Sequence, residues 1–146
     1  MKLVFRQVSP KLFRSPQPEF EDVITLKGRG IKAIVNLREE ATESSFYAGQ
    51  AQMEYLYLSV VDWQLPTIDQ VKQFYDFVED FGPALVHCAA GIGRTGTFVA
   101  CYRIIKGMGV EEALELTNEE TPLEGVTMNE IQCDFVREFA RELSLG

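Results

Sequence analysis

A cysteine and an arginine separated by five residues mark one short segment of this sequence as a candidate for chemistry. Residues 87–95 read HCAAGIGRT. An apolar run at residues 84–86 precedes the segment, and an apolar stretch typical of a helix follows at residues 97–105. A strand, a glycine-bearing turn and a helix start together form an anion-binding cradle, because backbone N–H groups converge there and the helix end carries partial positive charge.

The side chains at the two ends of this cradle are suited to phosphoryl transfer. A thiol beside positive charge is favoured as a thiolate, so Cys88 is a candidate nucleophile toward a bound anion. Arg94 adds a planar guanidinium that can contact two phosphate oxygens at once. The residues expected to bind the phosphate are Arg94 and the loop residues Ala89, Ala90, Gly91, Ile92 and Gly93. The pattern indicates transfer of a phosphoryl group to cysteine.

This segment resembles the signature of the cysteine-dependent protein tyrosine phosphatases, His-Cys-x5-Arg-Ser/Thr. Its specified positions are filled here by His87, Cys88, Gly91, Arg94 and Thr95. Residues 96–102 also resemble the small dual-specificity branch of that family. The resemblance implies a protein tyrosine phosphatase-like fold and hydrolysis of phosphomonoesters through a phosphocysteine intermediate. The alternative is a buried cysteine before an ordinary turn, with Arg94 in a surface ion pair.

Length and composition predict a single domain over residues 1–146. A chain of 146 residues, 46% of them hydrophobic, can bury its own core and is not disordered. No apolar run reaches membrane-spanning length, and residues 1–6 lack the hydrophobic region of a signal peptide. Three cysteines without paired spacing favour a reducing compartment. We therefore expect a cytoplasmic protein with no membrane partner.

The formal net charge of −8 restricts the partners of the chain. Nucleic-acid binding requires a basic surface, which argues against a general nucleic-acid binder. A local positive pocket at the cradle can still attract one phosphate, whereas polyanions are repelled at longer range. We expect a phosphorylated protein or peptide as the substrate; the sequence does not indicate an oligomeric state.

Strand-like and helix-like segments alternate along the chain. Apolar and alternating runs predict strands at residues 3–8, 12–13, 31–37, 55–60 and 84–86. Helices are predicted at residues 19–27, 67–81, 97–105, 110–120 and 127–143. We expect capping boxes at Thr67 with Gln70 and at Thr127 with Glu130, and a C-cap at Gly28 and Gly30. This order predicts an α/β domain with a central mixed sheet flanked by helices.

A general acid is needed opposite the cysteine, because the leaving oxygen must be protonated as it departs. Asp62 follows the predicted strand at residues 55–60, and the carboxyl ends of strands are where α/β sites collect. In small dual-specificity phosphatases the general-acid aspartate lies on such a loop, and residues 61–66 (VDWQLP) resemble it. Asp69, on the next helix, is expected to be a solvated surface residue. The alternative for Asp62 is a residue that only forms the turn.

The second step, in which water attacks the phosphocysteine, suggests further residues. Asp62 would accept the water's proton, and the Thr95 hydroxyl matches the family position that stabilises the leaving thiolate. In related dual-specificity enzymes a glutamine near the start of the last helix positions the water, and Gln132 resembles it. The alternative for Gln132 is a surface residue at the edge of an apolar stripe.

His87 is the only histidine, so no metal site and no cofactor are expected. In the family this histidine belongs to the hydrogen-bond network that shapes the loop, and we expect that supporting role. Cys101 and Cys133 are expected to be buried and inert. A protective disulfide with oxidised Cys88 is the alternative for either of them.

The N-terminal third carries a second resemblance, through residues 13–18 (FRSPQP) and 34–38 (IVNLR), to prokaryotic and plant-type dual-specificity phosphatases. Arg14 and Arg38 are interpreted as surface ion-pair residues, the alternative being cations near the pocket. Branches acting on inositol phosphates usually carry lysine or histidine inside the loop, where this chain has neutral residues.

We therefore expect hydrolysis of phosphotyrosine, with phosphoserine and phosphothreonine also accepted. The alternative substrates are inositol phosphates, polyphosphate and RNA 5′-triphosphates. A catalytically silent phosphate-binding module is the alternative from another class of protein.

Overall fold

The computed structural model describes residues 3–145, which form one α/β domain; Met1, Lys2 and Gly146 lie outside the described residues. Five strands are β1 (Arg6–Ser9), β2 (Leu12–Ser15), β3 (Ala33–Arg38), β4 (Glu54–Val60) and β5 (Ala84–His87). Six helices are α1 (Phe20–Gly28), α2 (Glu43–Gln50), α3 (Ile68–Phe81), α4 (Gly93–Ile105), α5 (Val110–Glu119) and α6 (Glu130–Leu145).

The strands form one mixed sheet in the order β1-β2-β5-β3-β4. Strand β1 pairs antiparallel with β2, whereas β2, β5, β3 and β4 pair in parallel. The predicted mixed sheet is thus confirmed. Strand β5 occupies the centre and all four of its residues are buried, as expected for a strand covered on both faces. The loop that leaves β5 therefore lies at the carboxyl edge of the sheet, next to the ends of β2 and β3.

Two apolar clusters cover the two faces of this sheet. Ile34 and Leu85 pack with residues of α1 and α2 such as Val23 and Ala48. The alternate strand residues, which point to the other face, pack against α3, α4, α5 and α6. Every residue of α4 from Gly93 to Ile104 is buried, so this helix lies in the interior, where it fixes the loop before it. Within residues 3–145, no helix is long and apolar enough to cross a membrane.

The helix boundaries follow the sequence in most places. Thr67 and Gln70 form the predicted capping box of α3. Helix α1 ends at Gly28 with Arg29 as its C-cap, and Gly30, with φ of +96°, follows and donates its N–H to the carbonyl of Lys27. The capping box predicted at Thr127 and Glu130 is wrong, because the Thr127 hydroxyl donates to the carbonyl of Met128 instead.

Helix α6 begins at Glu130, and the side chains of Asn129 and Gln132 cap its first turn. Asn129 Oδ1 accepts from the N–H of Gln132 at 2.8 Å, and Gln132 Oε1 accepts from the N–H of Asn129 at 3.0 Å. Asparagine is as good an N-cap as threonine, so residue type alone could not choose between the two positions. Helix α2 was not predicted, because its sequence ESSFYAGQ has weak apolar periodicity and a glycine near its end.

Candidate active site

The segment at residues 88–92 forms a tight loop between the central strand β5 and the buried helix α4. The Cys88 side chain is buried, and its sulfur accepts two hydrogen bonds. The N–H of Gly91 donates to Cys88 Sγ at 3.2 Å, and the hydroxyl of Thr95 donates at 3.0 Å. Hydrogen bonds to the charged form of a group favour that form, so both contacts stabilise a thiolate.

Two donors outside the loop hold its carbonyl groups away from the cradle. Arg14 Nη2 donates to the carbonyl of Gly91 at 3.0 Å, and the N–H of Gln17 donates to the carbonyl of Ala89 at 2.9 Å. In a trans peptide the C=O and the next N–H lie on opposite edges of one plane. The N–H groups of Ala90 and Ile92 therefore point away from these two donors. A loop whose carbonyl groups point outward and whose next N–H groups point inward forms an anion-binding nest.

Gly91 meets two requirements at once. Its φ of +78° lies in the region that favours glycine. A Cβ at this position would also lie 2.7 Å from backbone atoms of Ser15 and Pro16, which flank the end of β2. The motif glycine is therefore required by backbone conformation and by the close approach of the N-terminal segment.

Arg94 is buried at the start of α4 and is held by an acidic partner that the sequence analysis missed. Its Nη1 donates to Glu40 Oε1 at 2.7 Å and to the carbonyl of Val60 at 3.0 Å, and its Nη2 donates to Glu40 Oε2 at 3.0 Å. Its buried Nε has no partner among the described residues. One edge of the guanidinium is thus fixed, while the Nε–H is left to donate to a bound anion.

Arg94 and Glu40 each stabilise the charged form of the other. The hydrogen bonds from Arg94 lower the pKa of Glu40 to about 2. Burial opposes the charge on Arg94, but the hydrogen bonds that Arg94 donates to Glu40, followed by the charge of the nearby Cys88, keep the pKa of Arg94 above its ordinary value. Glu40 lies two positions beyond β3, at the same sheet edge as the loop. That placement is the signal that could have identified it from the sequence.

Asp62 lies two positions beyond the end of β4, in the loop where the sequence placed it. One of its oxygens, Oδ1, lies 3.3 Å from Arg94 Nη2. Its side chain is 60% exposed, whereas Arg94 is fully buried. The carboxyl group is therefore close to the cradle while it remains accessible to solvent and to a leaving group.

The loop that carries Asp62 is fastened to the start of α6. Asn129 Nδ2 donates to the carbonyl of Trp63 at 3.2 Å, and Gln132 Nε2 approaches the carbonyl of Gln64 at 3.5 Å. A Cβ at Gly93 would lie 3.0 Å from the Trp63 indole and 2.9 Å from Gln132 Nε2, so both side chains lie against the loop. Gln132 is fully buried, which excludes the interpretation as a surface residue.

His87 connects the loop to helix α2. Its Nε2 lies 2.8 Å from the hydroxyl of Ser44, and its Nδ1 lies 3.1 Å from the carbonyl of Cys88. Burial lowers the pKa of His87 to about 4, so the ring is neutral at pH 7. This geometry fits the supporting role expected from the sequence. Within residues 3–145, no cluster of three histidine, cysteine or acidic side chains is placed to hold a metal ion.

The two cysteines outside the loop are shielded from solvent to different degrees. Cys101 is buried and Cys133 is partly buried, and burial raises the pKa of both thiols.

Arg38 pairs with Glu40 at 3.0 Å and with Glu43 at 3.8 Å. Arg14 is only 3% exposed and contacts the loop, so its interpretation as a surface residue is wrong. Charge pattern alone does not reveal burial, so the sequence did not indicate the buried position of Arg14.

The fold and the loop define a cysteine-based phosphatase of the protein tyrosine phosphatase superfamily, in its dual-specificity-like branch. A family described as "DSP-PTPase phosphatase fused to NAD+ Kinase" matches residues 5–138, and the chain belongs to this family.

Curated relatives agree with this assignment. The chain is 32% identical over 136 residues to mouse protein tyrosine phosphatase domain-containing protein 1, covering 80% of this chain and 18% of the relative. It is 31% identical over 112 residues to the dual specificity protein phosphatase TpbA of Pseudomonas aeruginosa, covering 75% and 50%. The chain thus spans half or less of the length of these two relatives.

Solved structures show the shared fold. Tk-PTP in its active form superposes with a TM-score of 0.81 at 21% identity, covering 94% of this chain and 96% of that one. PTPMT1 in complex with PI(5)P superposes with a TM-score of 0.80 at 21% identity, covering 97% of both chains. The catalytic domain of the PP-IP phosphatase SIW14 from S. cerevisiae gives 0.76 at 18% identity, covering 97% of this chain and 91% of that one.

Proposed function

We propose that this phosphatase hydrolyses phosphotyrosine in proteins or peptides, and phosphoserine and phosphothreonine more slowly, through a phosphocysteine on Cys88. The observation that carries the proposal is the placement of Cys88, Arg94 and Asp62 around one cradle. The thiolate is hydrogen-bonded at 3.2 and 3.0 Å, the guanidinium keeps a buried Nε–H without a protein partner in the described residues, and the acid lies 3.3 Å from that guanidinium.

In the first step, the Cys88 thiolate attacks phosphorus, an S–P bond forms and the P–O bond to the leaving group breaks. Asp62 donates a proton to the departing oxygen. Arg94 and the loop N–H groups bind the equatorial oxygens, where charge is concentrated in the transition state. The step leaves a phosphocysteine and a free tyrosine or alcohol.

In the second step, water attacks the phosphocysteine and the S–P bond breaks. Asp62 accepts the proton of the water, and the electron pair returns to the Cys88 sulfur. The Thr95 hydroxyl at 3.0 Å stabilises the thiolate as it leaves. Gln132, with its amide beside Gly93, is in reach of the loop and is our candidate for positioning the water.

The charges around the cradle favour a substrate with one phosphate. Arg14 lies beneath the loop rather than at its mouth, and Arg38 is paired with Glu40 and Glu43. The loop side chains of Ala89, Ala90 and Ile92 are neutral. A second phosphate would therefore meet the carboxylate of Asp62, and neither Arg14 nor Arg38, as the structure describes them, is free to pair with it.

The alternative substrates keep some support from the structural neighbours. SIW14 is named a PP-IP phosphatase, and PTPMT1 binds PI(5)P. Both neighbours are about one-fifth identical to this chain, so they share its fold and do not determine its substrate. A phosphorylated protein partner and a cytoplasmic location stay predictions from the sequence.

A side-by-side comparison of substrates tests this proposal. We would measure kcat/KM at equal ionic strength for a phosphotyrosine peptide, an inositol pyrophosphate, a PI(5)P micelle and a triphosphate-ended RNA. We expect the peptide to have the highest value, and the deficit of the polyanions to narrow as salt screens the long-range field. A higher kcat/KM for any of the other three substrates would overturn the choice of substrate. Binding of all four without turnover would support the silent binding module instead.

A further inference from the structure

A buried cluster of charged side chains lies behind the loop at residues 88–92. Arg14, from β2, donates through Nη2 to the carbonyl of Gly91 at 3.0 Å. Its Nη1 donates to the carbonyl of Thr117 at 2.9 Å and lies 3.5 Å from Glu120 Oε1. The guanidinium thus joins the loop to the C-terminal end of α5, and its exposed fraction is 3%.

The cluster contains more positive than negative charge. Arg103, from α4, donates to the Thr117 hydroxyl at 2.8 Å and to Glu120 Oε2 at 2.6 Å. Two buried guanidinium groups therefore share the single carboxylate of Glu120. Burial lowers the pKa of Arg14 to about 10, and the charges of Glu120 and Cys88 oppose that change. Arg14 is still protonated at pH 7.

A buried excess of positive charge is costly unless an anion faces it. The negative charge of Cys88 acts on Arg14 in the direction that keeps the guanidinium protonated. Arg94 and Glu40 also lie near the sulfur, but their opposite charges compensate each other. His87, on β5, is neutral at pH 7.

We propose that Arg14 is a positioning residue for phosphate transfer, which holds the Gly91 carbonyl outside the cradle. This role rests on the proposed reaction. With the carbonyl held outward, the N–H of Ile92 points into the cradle, because the peptide is planar and trans. Arg14 reaches substrate only through the loop, so it acts on phosphate binding without touching the reacting atoms.

Arg103 supplies a matched control, because it shares Thr117 and Glu120 with Arg14 but makes no hydrogen bond to the loop residues that the structure describes. We would compare Arg14→Gln, Arg14→Lys and Arg103→Gln with the native enzyme. Peptide-resolved mass spectrometry would follow alkylation of Cys88 by iodoacetamide from pH 4.5 to 8, with and without inorganic phosphate as protectant. Thermal unfolding would establish that each variant is folded.

We expect Arg14→Gln to weaken the phosphate protection of Cys88 ~10-fold, the equivalent of one lost hydrogen bond to an anion. Arg14→Lys keeps the charge but cannot contact the carbonyls of Gly91 and Thr117 together, so its phosphate protection should also weaken. Arg103→Gln should keep the native protection.

Native phosphate protection in a folded Arg14→Gln variant would overturn the inference. Equal changes in Arg103→Gln would overturn it as well, since they would reflect the cluster and not the loop contact. If Arg14→Gln does not fold, Arg14→Lys decides: weakened phosphate protection supports the inference and native protection contradicts it. These readouts need no turnover, so an inactive native enzyme would count against the proposed function alone.

Discussion

Glu40 holds both terminal nitrogens of Arg94, at 2.7 and 3.0 Å, so the guanidinium has one orientation before any substrate arrives. The two residues come from different elements, the loop after β3 and the first turn of α4. A planar fork binds phosphate through directed hydrogen bonds, and its orientation therefore matters as much as its charge.

The first prediction concerns this pair. Glu40→Gln should lower kcat/KM by ~10²-fold, because misplacing a positioning group by about 1 Å can have an effect of that size. Glu43→Gln is the matched control, since Glu43 lies near Arg38 at 3.8 Å and has no contact with Arg94. Steady-state kinetics on a phosphotyrosine peptide measures both variants. Equal losses in the two would mean that surface charge, and not the orientation of Arg94, is responsible.

The second prediction tests the assignment of Asp62 as general acid. Loss of a general acid typically lowers the rate by ~10²–10⁴ when the leaving group is poor, and by less when it needs no proton. Asp62→Asn should therefore slow hydrolysis of a tyrosyl phosphate far more than that of an activated aryl phosphate. Asp69→Asn, in the first turn of α3, serves as the control. A uniform loss on both substrates, or a larger effect of Asp69→Asn, would place the acid elsewhere.

The third prediction concerns the conformation of the loop. Gly91→Ala would put a Cβ 2.7 Å from the backbone of Ser15 and Pro16 at a φ of +78°. Gly107→Ala is a close control, because Gly107 also has a positive φ, +108°, but an added Cβ there meets no atom within 4 Å. Both changes should lower stability by about 1–2 kcal/mol through the backbone conformation. Only Gly91→Ala should abolish phosphate binding, which is measured by the protection of Cys88 from alkylation. Phosphate binding by Gly91→Ala would show that the close approach of Ser15 and Pro16 to residue 91 is not required for the loop to bind phosphate.

The fourth prediction is the pH dependence of stability. Burial lowers the pKa of His87 to about 4 in the folded protein, from its ordinary value of 6.5. Between these values the unfolded chain binds a proton that the folded protein does not, so stability falls as the pH falls through this window. The loss between pH 7 and pH 5 should be about 2 kcal/mol.

Denaturant unfolding at pH 7 and pH 5 measures this loss, with His87→Gln as the comparison. His87 is the only histidine in the chain, so the variant should lose most of the pH dependence in this interval. Only the difference between the two pH values is compared, which separates titration from any constant effect of the substitution. The same pH dependence in the native protein and in the variant would mean that His87 is protonated when buried.

The placement of the central residues of the site could be predicted from the sequence because these residues are close together in the chain. Cys88, Arg94 and Thr95 belong to one strand-loop-helix segment, and their spacing alone places them around the loop. Asp62 was identified by its position after a strand, which is also a local signal. The structure places its carboxylate 3.3 Å from Arg94.

The supporting residues could not be predicted in the same way, because they meet the loop from distant parts of the chain. Arg14 contacts Gly91 across 77 positions, and Glu40 contacts Arg94 across 54. Ser44, which binds His87, lies on α2, a helix too weakly amphipathic to be recognised. Burial of a charged residue depends on such partners, and no local pattern encodes them.

The most direct test of the account is to trap the covalent intermediate. Native enzyme mixed with a peptide carrying radiolabelled phosphotyrosine, in the presence of a chelator, would be quenched with acid within one turnover. We predict label on the peptide that contains Cys88, and none in Cys88→Ser, which should still bind phosphate through the loop and Arg94. Metal-independent turnover by Cys88→Ser, or label on a residue other than Cys88, would contradict the phosphocysteine mechanism.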